Sequence, residues 1–144
     1  MIYDAALLLA SAQSSTVAAA STDYVDTLAA GNDYKGCLFC VQVTTAFTNY
    51  AGTPTMEFLL QTSSSSSFTG ATTSTLAASA QYVAGQLTAG KIIILTIPPG
   101  AKRYIRGYFN PSASTGSSSF SATGVNMFIL EDTDVIISGR KLAS

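Results

Sequence analysis

Residues 91–110, KIIILTIPPGAKRYIRGYFN, hold two different strand patterns back to back. From Ile92 to Ile97 the chain is apolar on both faces apart from Thr96, the pattern of a central strand covered on both sides. Pro98-Pro99-Gly100 stops that ladder, because two successive prolines remove its donors. From Lys102 to Phe109 the residues alternate. Lys102, Tyr104, Arg106 and Tyr108 take one face, and Ile105, Gly107 and Phe109 take the other. Two strands and a turn in twenty residues set the expectation for the rest of the chain.

The neighbouring segments read in the same way. Cys37 to Ala46 places Phe39, Val41 and Val43 on one face against Gln42 and Thr44. Thr55 to Gln61 sets Met56, Phe58 and Leu60 against Glu57 and Gln61, and Gly124 to Leu130 aligns Val125, Met127 and Ile129. Asp23 to Asp26 and Val135 to Ile137 add shorter strands, with turns at Gly31-Asn-Asp33, Asn49 to Pro54 and Asn110 to Gly116. Ser63 to Ser67 is read as a solvated loop. Residues 74–90 fit either a helical face or a strand at Gln81 to Ala84. Seven or eight strands with little helix predict an all-β fold, a jelly-roll-like antiparallel sandwich of two sheets.

The chain of 144 residues reads as one domain. Within it, residues 1–22 are expected to form an N-terminal arm and Ser/Ala tether, and residues 23–144 the sandwich. Residues 3–9 are apolar and either helix or strand. An apolar piece before a flexible stretch needs a surface to cover, so Ile2, Leu7, Leu8 and Leu9 are candidates for packing on a neighbouring chain, by edge-strand addition. The N-terminus lacks the basic start of a secretion signal and has Asp4 in its place. No apolar run reaches the length of a membrane span.

Only 15 residues are charged, seven basic and eight acidic, with 19 Ser and 18 Thr supplying the polar surface. A net charge of −1 argues against a general nucleic-acid binder. Histidine is absent, which excludes Ser-His-Asp and Cys-His nucleophiles. No glycine-rich phosphate loop occurs, and Glu131, Asp132 and Asp134 lack the full calcium-loop sequence. Cys37 and Cys40 cannot complete a zinc site without further ligands. On a strand, positions three apart face opposite ways, so two unlinked thiols are expected. The expectation is a non-enzymatic protein with no catalytic residues, no cofactor and no metal.

Four of the seven basic residues, Lys91, Lys102, Arg103 and Arg106, fall in the opening stretch. The ladder of Lys102, Tyr104, Arg106 and Tyr108 suits a protein interface built on Tyr and Arg anchors. It also suits an ordinary exposed strand face or stacking against single-stranded bases, the last disfavoured by the low positive charge.

The order of motifs resembles a known family. Ser21-Thr-Asp-Tyr-Val-Asp26, Leu87-Thr-Ala-Gly90, Arg103-Tyr-Ile-Arg-Gly-Tyr108 and Gly124-Val-Asn-Met-Phe-Ile-Leu-Glu-Asp132 resemble the head cement (capsid decoration) proteins of tailed bacteriophages, those of Bordetella podophages nearest. The resemblance implies a jelly roll, commonly dimeric, on the outside of an HK97-like shell, where it ties neighbouring major capsid subunits together. Its implied partners are the major capsid protein and a second copy, with no nucleic acid and no membrane. The implied place is the virion surface, after synthesis in the bacterial cytoplasm. Alternatives are another virion β-sandwich, such as a head-fibre base or tail component, or a carbohydrate-binding module.

Overall fold

A computed structural model describes residues 7–28, 37–112 and 119–131. Its strands are β1 (Leu8–Gln13), β2 (Ala19–Asp26), β3 (Cys37–Ala51), β4 (Thr55–Ser63), β5 (Thr73–Ala78), β6 (Tyr82–Val83), β7 (Ile92–Thr96), β8 (Tyr104–Ser112) and β9 (Ser119–Glu131). One sheet has four strands in the order β1-β9-β3-β7; the other has five, β2-β8-β4-β5 with the short β6 also on β4. Every pairing is antiparallel.

The pairs β1·β9, β2·β8, β3·β7 and β4·β5 are the rungs of one long hairpin. Rolling that hairpin brings β9 against β3 and β8 against β4. This is the jelly roll: successive strands cross between the sheets, so each sheet mixes distant parts of the chain. The expected all-β sandwich is present. Pro98-Pro99-Gly100 carries the chain from one sheet to the other instead of returning it alongside, with Gly100 at φ +106, a conformation open to glycine.

Between the sheets lie the inward faces read from alternation. Phe39, Val41, Val43 and Phe47 of β3 meet Met56, Phe58 and Leu60 of β4, Ile105 and Phe109 of β8, and Val125, Met127 and Ile129 of β9. Edge-to-face ring contacts tie Phe47 to Phe58 and Phe120 at 6.2 and 5.4 Å, and Phe58 to Phe109 at 6.0 Å.

Three expectations change, and one left open is resolved. The run Ile92 to Ile97 is not a central, doubly covered strand: β7 lies at a sheet edge, with Ile93 buried and Ile92 and Ile94 exposed at 40% and 43%. Its two apolar faces reflect the four-stranded sheet, whose outer face also carries Leu8, Leu38, Cys40, Phe128 and Leu130. The expected arm and tether supply β1, which pairs with β9, and part of β2, joined by a short loop. Of the two readings left open for residues 74–90, the strand one holds: they contain β6 and most of β5, with a single 3-10 turn at Ala84–Gln86. Ser63 is buried at the end of β4 because its hydroxyl has partners in Thr72 Oγ1 and the Ser65 N–H. The strand expected at Val135 to Ile137 and the turn at Gly31 to Asp33 lie outside the described residues.

Candidate functional site

Strand β8 runs through the middle of the five-stranded sheet, between β2 and β4. Its residues alternate as the sequence requires: Ile105, Gly107 and Phe109 are buried, while Tyr104, Arg106 and Tyr108 are half-buried on the outer face. Gly107 sits where the sandwich is tightest. A Cβ there would stand 2.4 Å from Met127 Sδ. Beside it the β2–β8 register breaks between Ala20 and Tyr24, and the Ser21 hydroxyl accepts the Gly107 N–H at 2.9 Å. A side chain thus satisfies a backbone donor beside the irregularity.

On the outer face, cross-strand pairing puts Tyr24 of β2 and Gln61 of β4 on either side of Arg106. Phe68 completes the group. It follows the serine run with φ +48, a conformation rare for an aromatic, and its ring is buried against the sheet. Tyr24, Phe68 and Tyr104 meet edge to face at 5.7–6.5 Å. The Arg106 guanidinium lies 4.3 Å from the Phe68 ring centroid and 5.6 Å from that of Tyr108, and its Nε donates to Gln61 Oε1 at 2.9 Å.

The two arginines of β8 and its approach differ in their electrostatics. Arg103 makes a two-pronged contact with Asp26, at 2.8 and 3.0 Å, and the same contact holds the Asp26 carboxyl below its ordinary pKa. Arg106 has no carboxylate partner among the described residues. Partial burial lowers its pKa from the ordinary value, with Tyr108 opposing. A partly desolvated cation with donors still available is suited to receive an anionic group from outside the chain.

The expected four-residue ladder is therefore three residues long. Tyr104, Arg106 and Tyr108 come together, but Lys102 precedes the strand and its Nζ donates to the Thr72 carbonyl at 2.9 Å. Of the apolar candidates, Leu9 is fully buried in this chain's own core, Leu7 packs against that core, and Leu8 joins the outer cluster around Phe128. Leu9 has no surface left for a neighbour. Ile2 lies outside the described residues. Sequence reasoning missed Phe68, Tyr24 and Gln61. An aromatic ending a serine run, SSSSSF, was the available signal, since such a ring must find cover somewhere.

Cys37 and Cys40 face opposite sides of β3, and neither forms a disulfide. Among the described residues, no three His, Cys, Asp or Glu side chains gather to hold a metal. A shallow cleft of about 280 Å³ at one end of the sandwich is lined by Val17, Pro54, Pro111 and Phe120. It is mainly apolar.

Comparison with known families finds a match to the family described as Bbp16 over residues 9–127. No curated protein matches the chain.

Proposed function

The chain belongs to the Bbp16 family, whose name points to a Bordetella phage protein, and we propose that it is a non-enzymatic structural protein of the virion. In this reading it binds the outside of the phage head and cements neighbouring major capsid subunits of an HK97-like shell. A second copy of the chain is its other partner.

Arg106 carries the reading: a partly desolvated guanidinium, without a carboxylate among the described residues, framed by aromatic rings on the outer face of a sheet. A carboxylate on a shell subunit would meet it as a planar fork, with Tyr24, Tyr104 and Tyr108 adding contact area at small entropic cost. The middle position of β8 holds these groups rigid, so little ordering remains to be done on binding. Repeated over a symmetric shell, modest contacts act together through avidity. Each seam bridged adds interface that expansion or rupture must break.

The test compares Arg106→Ala with Lys141→Ala for binding to shells stripped of the protein. Loss of at least about tenfold for Arg106→Ala alone is expected of a central anchor. Equal, near-normal binding by both variants would overturn the assignment of this face. Tight, salt-sensitive binding of the wild type to single-stranded DNA would favour nucleic acid instead. A low copy number in purified particles, measured against the major shell protein, would favour a head-fibre base or tail component.

A further inference from the structure

Among the described residues the edge strands are β1 and β7 in one sheet, and β2, β5 and the two-residue β6 in the other. Natural proteins blunt such edges with bulges, charges or prolines, because unpaired backbone invites another strand. All but β7 are blunted here, β6 by its shortness. The register of β1 against β9 breaks twice, that of β2 against β8 breaks once, and that of β5 against β4 breaks once. Strand β2 also carries Asp23 and Asp26. Strand β7 has none of this. Its five pairs with β3 are unbroken, and it contains no charge, proline or glycine.

The direction of its backbone groups follows from the ladder. Val43 N–H donates to the Lys91 carbonyl and Gly90 N–H to the Val43 carbonyl, both at 2.8 Å. By antiparallel alternation, Ile93 and Leu95 turn their N–H and C=O toward β3, while Ile92, Ile94 and Thr96 turn theirs toward the open side. No described strand pairs with β7 there. Ile92 and Ile94 are also two of the exposed large apolar side chains, on the outer face that continues into Cys40 and Phe128. Open donors and acceptors and exposed branched side chains thus coincide on one regular edge.

We infer that the β7 edge is the seam at which two copies of this chain join, strand against strand about a two-fold axis through Ile94. In that register Ile94 faces Ile94 of the second copy, Ile92 faces Thr96, and Ile93 faces Leu95. Charge supports self-pairing: the nearest ionic residue, Lys91, falls opposite Ile97, so the two copies place their lysines at opposite ends of the seam. A strand that meets itself with no like charges opposed, and with branched side chains in register, satisfies backbone and apolar surface together. The four-stranded sheet becomes a continuous eight-stranded one. The inference concerns the second copy named above and rests on the chemistry of this edge, independently of any contact with a shell.

The test uses the full chain without shells. Sedimentation velocity over a concentration series should show a dimer, and amide exchange at Ile92, Ile94 and Thr96 should slow as the dimer fills. Ile94→Lys, which opposes two ammonium groups at the axis, should raise the dissociation constant by about thirtyfold or more. Its far-ultraviolet spectrum should stay native, since the side chain is already exposed. Tyr50→Lys, at a distant exposed site, should leave association unchanged. A wild-type chain monomeric at its highest soluble concentration would overturn the inference. So would a dimer in which these three amides exchange as fast as in the monomer, or protection that arises only when shell protein is added. If Ile94→Lys fails to fold, the exchange measurement on the wild type decides alone. Failure of shell binding with this dimer intact would count against the proposed function and leave the seam standing.

Discussion

Gly107 illustrates how little freedom the interior of the sandwich has. Its N–H is held by Ser21 and its missing side chain leaves room for Met127. Gly107→Ala should therefore cost about 1–3 kcal/mol through overpacking, read as a lower denaturant midpoint with an unchanged slope. Cys40 offers a pH-dependent case. Burial pushes its thiol up to about 11 from an ordinary value of 9.0, so the folded chain keeps the proton that the unfolded chain releases. Its contribution is fully present below pH 9.0 and lost as pH rises through about 11. Unfolding free energies of wild type and Cys40→Ala, compared across that window, should show a steeper alkaline decline for the wild type. Native alkylation at neutral pH should spare Cys40, because the neutral thiol is a poor nucleophile.

Among the strands, β1 is the one whose role differs most from its appearance. An apolar segment ahead of a Ser/Ala stretch looks detachable, yet Leu9 and Ala10 are fully buried and β1 lies along β9. Leu9→Ala should destabilise the fold by about 2–5 kcal/mol, as a cavity in a packed core does. Deleting residues 1–12 should lower stability further, because it strips β9 of an edge partner. Urea unfolding of both variants checks this, and a truncated chain as stable as the full one would contradict the packing of β1.

The rolled hairpin joins the two ends of the described chain, with Leu8 opposite Phe128. Such pairings require closing long loops before any contact rewards them, so folding should be slow, in the millisecond-to-second range typical of all-β domains. Stopped-flow refolding from urea measures it. The same long-range closure suits the proposed cementing role: strands from both halves of the chain are interleaved in each sheet, so load on either outer face is shared throughout the sandwich. Shells decorated with wild-type protein should disrupt at a higher temperature than stripped shells, while shells offered Arg106→Ala should fall near the stripped value.

Local pattern determined most of the strands. Alternation along residues 37–46, 55–61, 102–109 and 124–130 assigned inward and outward faces correctly except at Lys102, which precedes β8, because a strand's side-chain period is two whatever surrounds it. The same rule separated Cys37 from Cys40 and aligned Tyr104, Arg106 and Tyr108. Tertiary structure decided what pattern cannot encode. An apolar run records how many faces are apolar and says nothing of how many neighbours the backbone has, which is why Ile92 to Ile97 read as central while β7 lies at an edge. Leu8 to Gln13 read as an arm because its partner, β9, lies more than a hundred residues away. The candidate site was half legible for the same reason. The basic–aromatic ladder is local to β8, whereas Tyr24, Gln61 and Phe68 come from other strands and a loop, brought to Arg106 only when the hairpin rolls up.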